Sequence, residues 1–491
     1  MKNIRVRFAP SPTGIPHIGN IRTALFAWLF AKKHEGDFIL RIEDTDQNRY
    51  DANSELAIIE SLKWLGLGWD EGPEIGGNYG PYRQSERKNI YIEVAEKLIE
   101  SGKAYYDDTT PEQLEDLRKS QREQKLPPRY DNRGRFRTKE QIEESRKKGL
   151  PITVRLIVPE RGKISFVDTV RGKIEIDARE IDDFVILKSD NMPTYHLAHV
   201  VDDYLMRITH VIRAEEWISS TPRHILIHEA LNYNLPEYVH VPLILGSDKS
   251  KLSKRHGATS VLEYKNQGFI NDALFNFLSL LGWSPGDDKE LMSKIEIISE
   301  FDLSKINSSS AIFDINKLEW MNGVYIRGLD DINIIEKVIP ILESTDESIG
   351  LPKKVKRPLD KSYLIKIIPL IKERIRTLNE VTEMIDFFYE DNIKNTVDNI
   401  IIKKFNSKDS IKILNKSIDV LNQTKLFNSE SLEANFRTLV EREKMKPGQL
   451  FTSLRYALSG KKIAPPLFDT MEVLGKDKCI QRVSASITLL T

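Results

Sequence analysis

At 491 residues, and about 150 residues per domain, the chain is too long for a single small fold. Hydrophobic residues make up 40% and charged residues 30%, enough for sizeable cores under a well-solvated surface. One cysteine, Cys479, excludes an internal disulfide framework and a multi-cysteine zinc site. The longest clean apolar run, residues 24–31, is far too short to span a bilayer. Met1-Lys2-Asn3 leads directly into an alternating pattern and not into a signal peptide. The expectation is a soluble cytosolic or organelle-matrix protein without a membrane partner. The 73 basic and 73 acidic residues cancel, but unevenly. Residues 331–491 hold 27 Lys and Arg against 22 Asp and Glu, a net of +5, and the first 330 residues carry the opposite −5. The basic run Lys353-Lys354-Val355-Lys356-Arg357 is either a solvated loop or a phosphate contact.

In chain order, Ile4, Val6 and Phe8 alternate with Arg5 and Arg7 as a strand. Residues 9–16 are too rich in proline and glycine for regular structure. A helix follows over about 18–33, with Ile21, Leu25, Trp28 and Leu29 on one face, and then a strand over 37–42. This is a βαβ unit, the seed of a parallel sheet. Further strands are expected at 152–158, 164–167, 184–187 and 210–212. Residues 111–148 are highly charged and mostly helical, and read as an insertion into the nucleotide fold. Beyond about residue 330 the strand signals fade, and 365–375, 381–389, 411–421 and 432–443 read as amphipathic helices.

Two constellations carry chemistry. Pro16-His17-Ile18-Gly19-Asn20 follows a strand and opens a helix, whose free N–H groups and partial positive charge suit a phosphate. Gly19 lets a purine or ribose lie against the backbone, and His17 can donate to phosphate oxygens that gain charge in a transition state. Alone, this histidine would read as a cap or surface residue. The second constellation is Lys251-Leu252-Ser253-Lys254-Arg255 behind Gly246-Ser247-Asp248-Lys249-Ser250, which predicts a mobile basic loop.

Together, Pro-His-Ile-Gly and Lys-Leu-Ser-Lys-Arg, about 230 residues apart, resemble the paired signatures of class I aminoacyl-tRNA synthetases. The first signature usually ends in a second histidine; here that position is Asn20. Six more segments narrow the resemblance to glutamyl-tRNA synthetases: Phe8-Ala9-Pro10-Ser11-Pro12-Thr13-Gly14, Arg41-Ile42-Glu43-Asp44-Thr45-Asp46, Gly80-Pro81-Tyr82-Arg83-Gln84-Ser85-Glu86-Arg87, Pro193-Thr194-Tyr195-His196-Leu197-Ala198, Val211-Ile212-Arg213-Ala214-Glu215-Glu216-Trp217 and Trp320-Met321-Asn322-Gly323. The resemblance is specific from residue 5 to about 330 and weaker through the helical tail. That tail favours the bacterial or organellar glutamyl type over the glutaminyl type, which binds the anticodon with β-barrels.

The resemblance implies an α/β chain: a Rossmann-type parallel-sheet catalytic domain with an α+β insertion, then an all-α anticodon-binding region. The implied boundaries are 1–84 and 193–248 for the catalytic domain and 85–192 for an acceptor-stem-binding insertion. Residues 249–330 would be a stem-contact region holding the basic loop, and 331–491 the helical anticodon-binding region, in two subdomains. The implied reaction is ATP-dependent ligation of L-glutamate to tRNA(Glu) in two steps, through glutamyl-adenylate, with Mg²⁺ travelling with ATP.

Desolvating a glutamate carboxylate demands a cationic partner, ideally a bidentate arginine. Arg7 ends the first strand at the sheet edge where such folds bind ligands, and the resemblance assigns it the side-chain carboxylate. Arg213 similarly resembles a substrate-site cation. Glu43 supplies the charge that an ammonium needs, and Ser11, Tyr195 and His199 give hydrogen bonds and shape; at position 199 the family more often has asparagine. Trp217 is either core packing or a wall of the pocket. The resemblance places His17, Gly19, Glu216, Leu252, Ser253 and Lys254 around ATP, with His17, Lys251 and Lys254 as the catalytic set. Asp44 and Asp46 read as a helix cap or as partners of Arg41 and Arg49 in preference to metal ligands. Residues 104–108, where some relatives hold zinc through cysteines, contain neither Cys nor His, so no zinc is expected. Arg374, ahead of Thr377-Leu378, matches a residue associated with rejecting tRNA(Gln) at the third anticodon base. The partners expected are tRNA(Glu), L-glutamate and ATP, with a monomeric chain. The alternatives are an enzyme that also charges tRNA(Gln), a same-fold nucleotidyltransferase acting on a small acid, a truncated relative that glutamylates a tRNA base, and an inactive RNA-binding module. The long helical tail and the intact His17, Lys254 and Arg7 argue against the last three.

Overall fold

The computed structural model describes residues 3–253, 255, 260–286, 288–346 and 348–491. Two compact units emerge, Met1–Asn266 with Asn271–Ile315, and Gln267–Ile270 with Asn316–Thr491.

In the first unit, strands β1 (Arg5–Phe8) and β2 (Asp37–Leu40) run parallel, Arg5 opposite Asp37 and Phe8 opposite Leu40, with helix α1 (Ile18–Lys33) between them. The alternation in β1 does not mark a half-exposed strand, because all four of its residues are buried. Arg5 reaches Asp37 at 2.6 Å and Glu71 at 3.1 Å and donates through Nε to the Met206 carbonyl. Helix α1 likewise differs from the one-faced helix expected: every residue from Ile21 to Ala31 is buried. Strands cover one side of it and later helices the other, with Phe26 against Phe301 and Trp28 against Phe275. Arg22 survives in that surround by donating to the Leu281 and Pro242 carbonyls.

Strands β3 (Ala104–Asp107), β4 (Thr153–Leu156) and β7 (Val185–Leu187) form an antiparallel sheet. The charged stretch beside it holds helices Pro111–Glu123 and Lys139–Lys147, opened by Thr110 and Thr138 capping boxes. Asp107 and Asp108, in the stretch without Cys or His, are held by Arg155 and Arg137. A second sheet has the order β6 (Gly172–Asp177), β5 (Lys163–Asp168), β9 (Glu237–Val241), β8 (His210–Ala214). Here β5 and β6 are antiparallel, while β9 runs parallel to both β5 and β8. Thr209 ties β8 to β1, its N–H donating to the Arg5 carbonyl. Sequence periodicity located β4, β5, β7 and β8 to within a few residues. It missed β3, β6 and β9, and a short parallel pair, Ile244–Leu245 with Ala311–Ile312.

Among its described residues the second unit is helical. Helix Ser407–Gln423 packs on Lys476–Leu490, and Ser429–Arg442 packs on Leu467–Leu474. Asn406 and Asn428 cap the first of each pair, and Leu414, Leu421, Phe436, Met471 and Val483 are fully buried. In the basic run, Lys354 pairs with Glu390 and Arg357 donates to the Leu351 carbonyl at 2.7 Å, so two of its charges are spent within the fold.

Candidate active site

At the carboxyl ends of β1 and β8 opens a cleft of about 240 Å³. Ligands of open α/β folds bind at such strand ends. Its lining includes Arg7, Ser11, Glu43, Tyr195, His199, Arg213, Glu216 and Trp217. The seven residues expected around glutamate are thus brought together from segments up to about 200 residues apart.

The cleft rests on a buried charge network. Arg7 Nε donates to Asp203 at 3.0 Å, and Arg41 reaches Asp203 at 2.8 Å and Glu43 at 3.1 Å. Arg87 holds Asp202 at 2.7 Å, and Gln84 and Tyr91 also donate to that carboxylate. Burial pushes the Asp203 carboxyl up, but Arg7 and Arg41 outweigh it and leave the group below its ordinary range. At Glu43 burial wins over Arg41 and Arg7, and the carboxyl is pushed up to about 7. Glu43 therefore titrates near neutrality.

The opposite wall is aromatic, built around one cation, Arg213. Arg213 donates to the Tyr195 hydroxyl at 3.1 Å, to Thr221 Oγ1 at 2.8 Å and to His240 Nε2 at 3.0 Å. Trp217 stacks obliquely on Tyr195, ring centres 4.6 Å apart, and is 38% exposed, which makes it a wall and not core. His199 is buried and stacks on His224 at 4.5 Å. Burial and the nearby arginines hold both imidazoles well below their ordinary pKa, so both are neutral.

His17 caps α1, its Nδ1 accepting from the Gly19 N–H at 3.1 Å. Its Nε2 is buried against the Leu252 backbone. Burial, with Lys251 nearby, lowers the His17 pKa. A Cβ on Gly19 would meet only His17 Nδ1, at 3.4 Å, so the fold alone does not demand glycine there. His17 and Gly19 do not line the cleft, though Asn20 and Thr23 of the same helix do. The expected mobile loop begins as a tight hairpin: Leu252 N–H donates to the Ile244 carbonyl and Gly246 N–H to the Ser250 carbonyl. Lys251, of the expected catalytic set, and Glu216, expected near ATP, pair with each other at 2.6 Å. Leu252 is buried and Ser253 half-buried beside them, while Lys254 lies outside the described residues. Asp46 pairs with Arg49 at 2.6 Å, whereas Asp44 accepts from the Ser85 N–H and hydroxyl, and the cap of the next helix, Ala52–Leu65, is Asp51.

Sequence reasoning missed Asp202, Asp203, Arg41 as a network member, His224, His240 and Thr221. A signal existed for the aspartates. Val200-Val201-Asp202-Asp203 places two carboxylates inside an apolar helical stretch, where ionisable groups are costly unless paired.

Residues 3–320 match the family model for the catalytic domain of class I tRNA synthetases (E and Q), and residues 333–487 match that for an anticodon binding domain. A glutamate–tRNA ligase of Dehalococcoides mccartyi is 47% identical over 99% of this chain and 98% of its own length. One from Thermoanaerobacter pseudethanolicus is 44% identical over 100% and 99%. The crystal structure of a glutamate tRNA ligase from Elizabethkingia meningosepticum in complex with its amino acid, 34% identical, covers both chains fully with a TM-score of 0.90. The paired signatures in the sequence, the lining of the cleft and these full-length likenesses place the chain in the glutamate–tRNA ligase family of class I tRNA synthetases.

Proposed function

We propose that this enzyme, whose family ligates glutamate to tRNA at the expense of ATP, binds glutamate in the cleft between Arg7, Glu43 and Arg213 and charges tRNA(Glu). The observation that carries the reading is the cleft's charge layout. Two arginines and two carboxylates, Glu43 and Glu216, face a volume suited to a small zwitterion with a second carboxylate, and Glu216 is already paired with Lys251. Arg7 takes the side-chain carboxylate, Glu43 the ammonium, and Arg213 is the second cation. Ser11, Tyr195 and His199 contribute hydrogen bonds, and Trp217 closes the wall.

The α-carboxylate attacks the α-phosphorus of ATP, releasing diphosphate, and the terminal ribose hydroxyl of tRNA then takes the acyl group with release of AMP. No protein nucleophile is needed; catalysis is positioning and charge stabilisation. His17 holds its Nδ1 lone pair on Gly19 N–H, which puts its proton on Nε2, beside the Leu252 backbone, from where it turns to donate to a phosphate. Gly19 and Glu216 take the adenosine, and Leu252 and Ser253 carry the loop beside it. Lys251 leaves Glu216 when ATP arrives and, with Lys254, covers the diphosphate. Mg²⁺ enters bound to ATP. The chain works as a cytoplasmic monomer in this reading. Among the described residues no helix is long and apolar enough to cross a membrane. The test is ATP–pyrophosphate exchange and aminoacylation with purified tRNA species, using glutamate and glutamine. Glutamate-dependent exchange with tRNA(Glu) present is expected; exchange that runs on another acid without tRNA sinks the assignment.

A further inference from the structure

The two cleft arginines are held in different ways. Arg7 is ion-paired to Asp203, so part of its charge is cancelled. Arg213 is buried, yet it makes no ion pair among the described residues. Its three short hydrogen bonds go to neutral acceptors: His240 Nε2, Thr221 Oγ1 and the Tyr195 hydroxyl. Its remaining contacts, to His224, His199 and the Trp217 carbonyl at 3.3–3.4 Å, are long enough for a ligand oxygen to displace.

His240 is built for this contact. It lies directly opposite Arg213 in the parallel pair β8–β9 and is fully buried. An arginine Nε–H can only donate, so the His240 Nε2 that faces it at 3.0 Å must carry the lone pair. The imidazole proton then sits on Nδ1, which donates to Asp168 Oδ2 at 2.7 Å. Asp168 is anchored in turn, accepting from the N–H groups of Val170, Arg171 and His240. Burial, helped by the charge of Arg213, lowers the His240 pKa against the pull of Asp168, which agrees with a neutral ring. A carboxylate in place of this imidazole would orient the guanidinium and also neutralise it. A neutral acceptor backed by a carboxylate one bond further away orients it and leaves the charge for the ligand.

We propose that His240, oriented by Asp168, is a positioning residue for glutamate: its Nε2 fixes the plane of Arg213 so that an uncancelled guanidinium meets a substrate carboxylate. This rests on the reading of Arg213 as a substrate-site cation. The test is a pair of variants read by ATP–pyrophosphate exchange with tRNA present. His240→Asn keeps an amide near the Nδ1 position, within reach of Asp168, but cannot reach Arg213. His240→Gln places its carbonyl near the Nε2 position and keeps the Arg213 bond. His240→Asn is expected to raise the KM for glutamate about tenfold, the worth of one charge-assisted hydrogen bond, with kcat and the KM for ATP within about twofold. His240→Gln is expected to stay within about threefold of the wild type. Equal effects, a worse Gln than Asn variant, or a matching rise in the KM for ATP would overturn the proposal. Arg213→Ala separates the two layers. If it leaves the glutamate KM unchanged, the reading of Arg213 fails; if it raises that KM and His240→Asn does not, only the relay fails. Should the Asn variant not fold, the Gln variant alone decides, a rise beyond about tenfold counting against the relay.

Discussion

In the first unit Arg7, Arg41 and Arg87 meet Asp203, Glu43 and Asp202 inside the protein, at 2.7–3.1 Å. In the second unit Arg482 is the one charged side chain buried among the described residues, and it meets no carboxylate. It donates to the carbonyls of Phe387, Glu390 and Leu458, tying its helix to the end of the helix Pro447–Ser459 and to the turn at 386–390. Burying an ion is costly in both places. The helical unit does it once and satisfies the guanidinium with backbone, which is a cross-link. The α/β unit does it repeatedly beside an open cleft, in a network where one carboxyl, Glu43, is held far from its ordinary pKa. Buried charges that border an open cleft and include a carboxyl shifted toward neutrality mark a candidate ligand site; the buried Arg482, held by carbonyls, marks architecture.

The sharpest way to break this contrast is to remove one member from each unit. Arg7→Ala leaves a substrate carboxylate without its partner, at a cost of about 2–5 kcal/mol. The KM for glutamate should rise at least ~30-fold, with the KM for ATP nearly unchanged; if ATP alone weakens, Arg7 is an ATP residue. Arg482→Leu removes three hydrogen bonds and strands their carbonyls, a loss of about 2–4 kcal/mol in urea unfolding. Its glutamate KM should match the wild type, and a large rise would show that the helical unit's buried charge also serves the site.

Glu43 tests the contrast through pH. With its carboxyl ionising near 7, the site loses the partner of the substrate ammonium as pH falls through 7. Free glutamate changes charge little between pH 5 and 8. The KM for glutamate should therefore rise about tenfold per pH unit below 7 and level off above it. A flat profile from pH 8 to 5.5 would remove Glu43 from the ammonium site. The stability effect has the opposite sense. A carboxyl whose folded pKa is raised favours folding in its protonated form, and that contribution is lost as pH rises from about 4.5 through 7. Glu43→Gln should thus raise the melting temperature at pH 8 by a few degrees and have little effect at pH 4.5; it should cripple glutamate binding at pH 8 and add little at pH 4.5, where the wild-type carboxyl is already protonated.

The cleft-lining residues were legible in the sequence because they sit in short motifs whose order survives in the chain. Arg7, Glu43, Tyr195, Arg213 and Trp217 could each be named from those motifs alone. What holds them could not. Arg7 meets Asp203 across 196 positions and Asp168 meets His240 across 72, and nothing local in either segment identifies its partner. Helix α1 failed for a related reason. Periodicity reports a single buried face, and a helix covered on several sides has none to report. The strands missed, β3, β6 and β9, carry polar or charged residues in their runs, whose partners are set by tertiary pairing and not by propensity.

The smallest effect expected lies in the helical unit and concerns which tRNA is charged. Helix Lys361–Ile371 ends three residues before Arg374, so this residue sits in the following turn, exposed, and not on the helix that sequence periodicity places there. Its neighbours are committed: Lys372 pairs with Asp331 at 3.3 Å, Glu373 with Arg327 at 3.8 Å and Arg376 with Glu319 at 3.4 Å. Arg374 makes no ion pair among the described residues, so of the charges in this turn it is the one left for a ligand. On the Watson–Crick edge that an unpaired anticodon base presents, arginine donates to the O2 and N3 acceptors of cytosine, the third base of tRNA(Glu), and meets the N1–H and N2–H donors of guanine, that of tRNA(Gln). Its effect at the third anticodon base, where tRNA(Glu) and tRNA(Gln) differ, is therefore a difference of about 1–3 kcal/mol. Arg374→Gln should change the ratio of tRNA(Glu) to tRNA(Gln) charging by roughly tenfold, with glutamate and ATP constants untouched, as measured by aminoacylation of tRNA(Glu) and the two tRNA(Gln) isoacceptors. A uniform loss on every tRNA would make Arg374 a phosphate contact. Efficient glutamylation of either tRNA(Gln) isoacceptor by the wild type would mean that the enzyme does not discriminate and needs a tRNA-dependent amidotransferase downstream. In that case the free charge in this turn would have no part in choosing the anticodon.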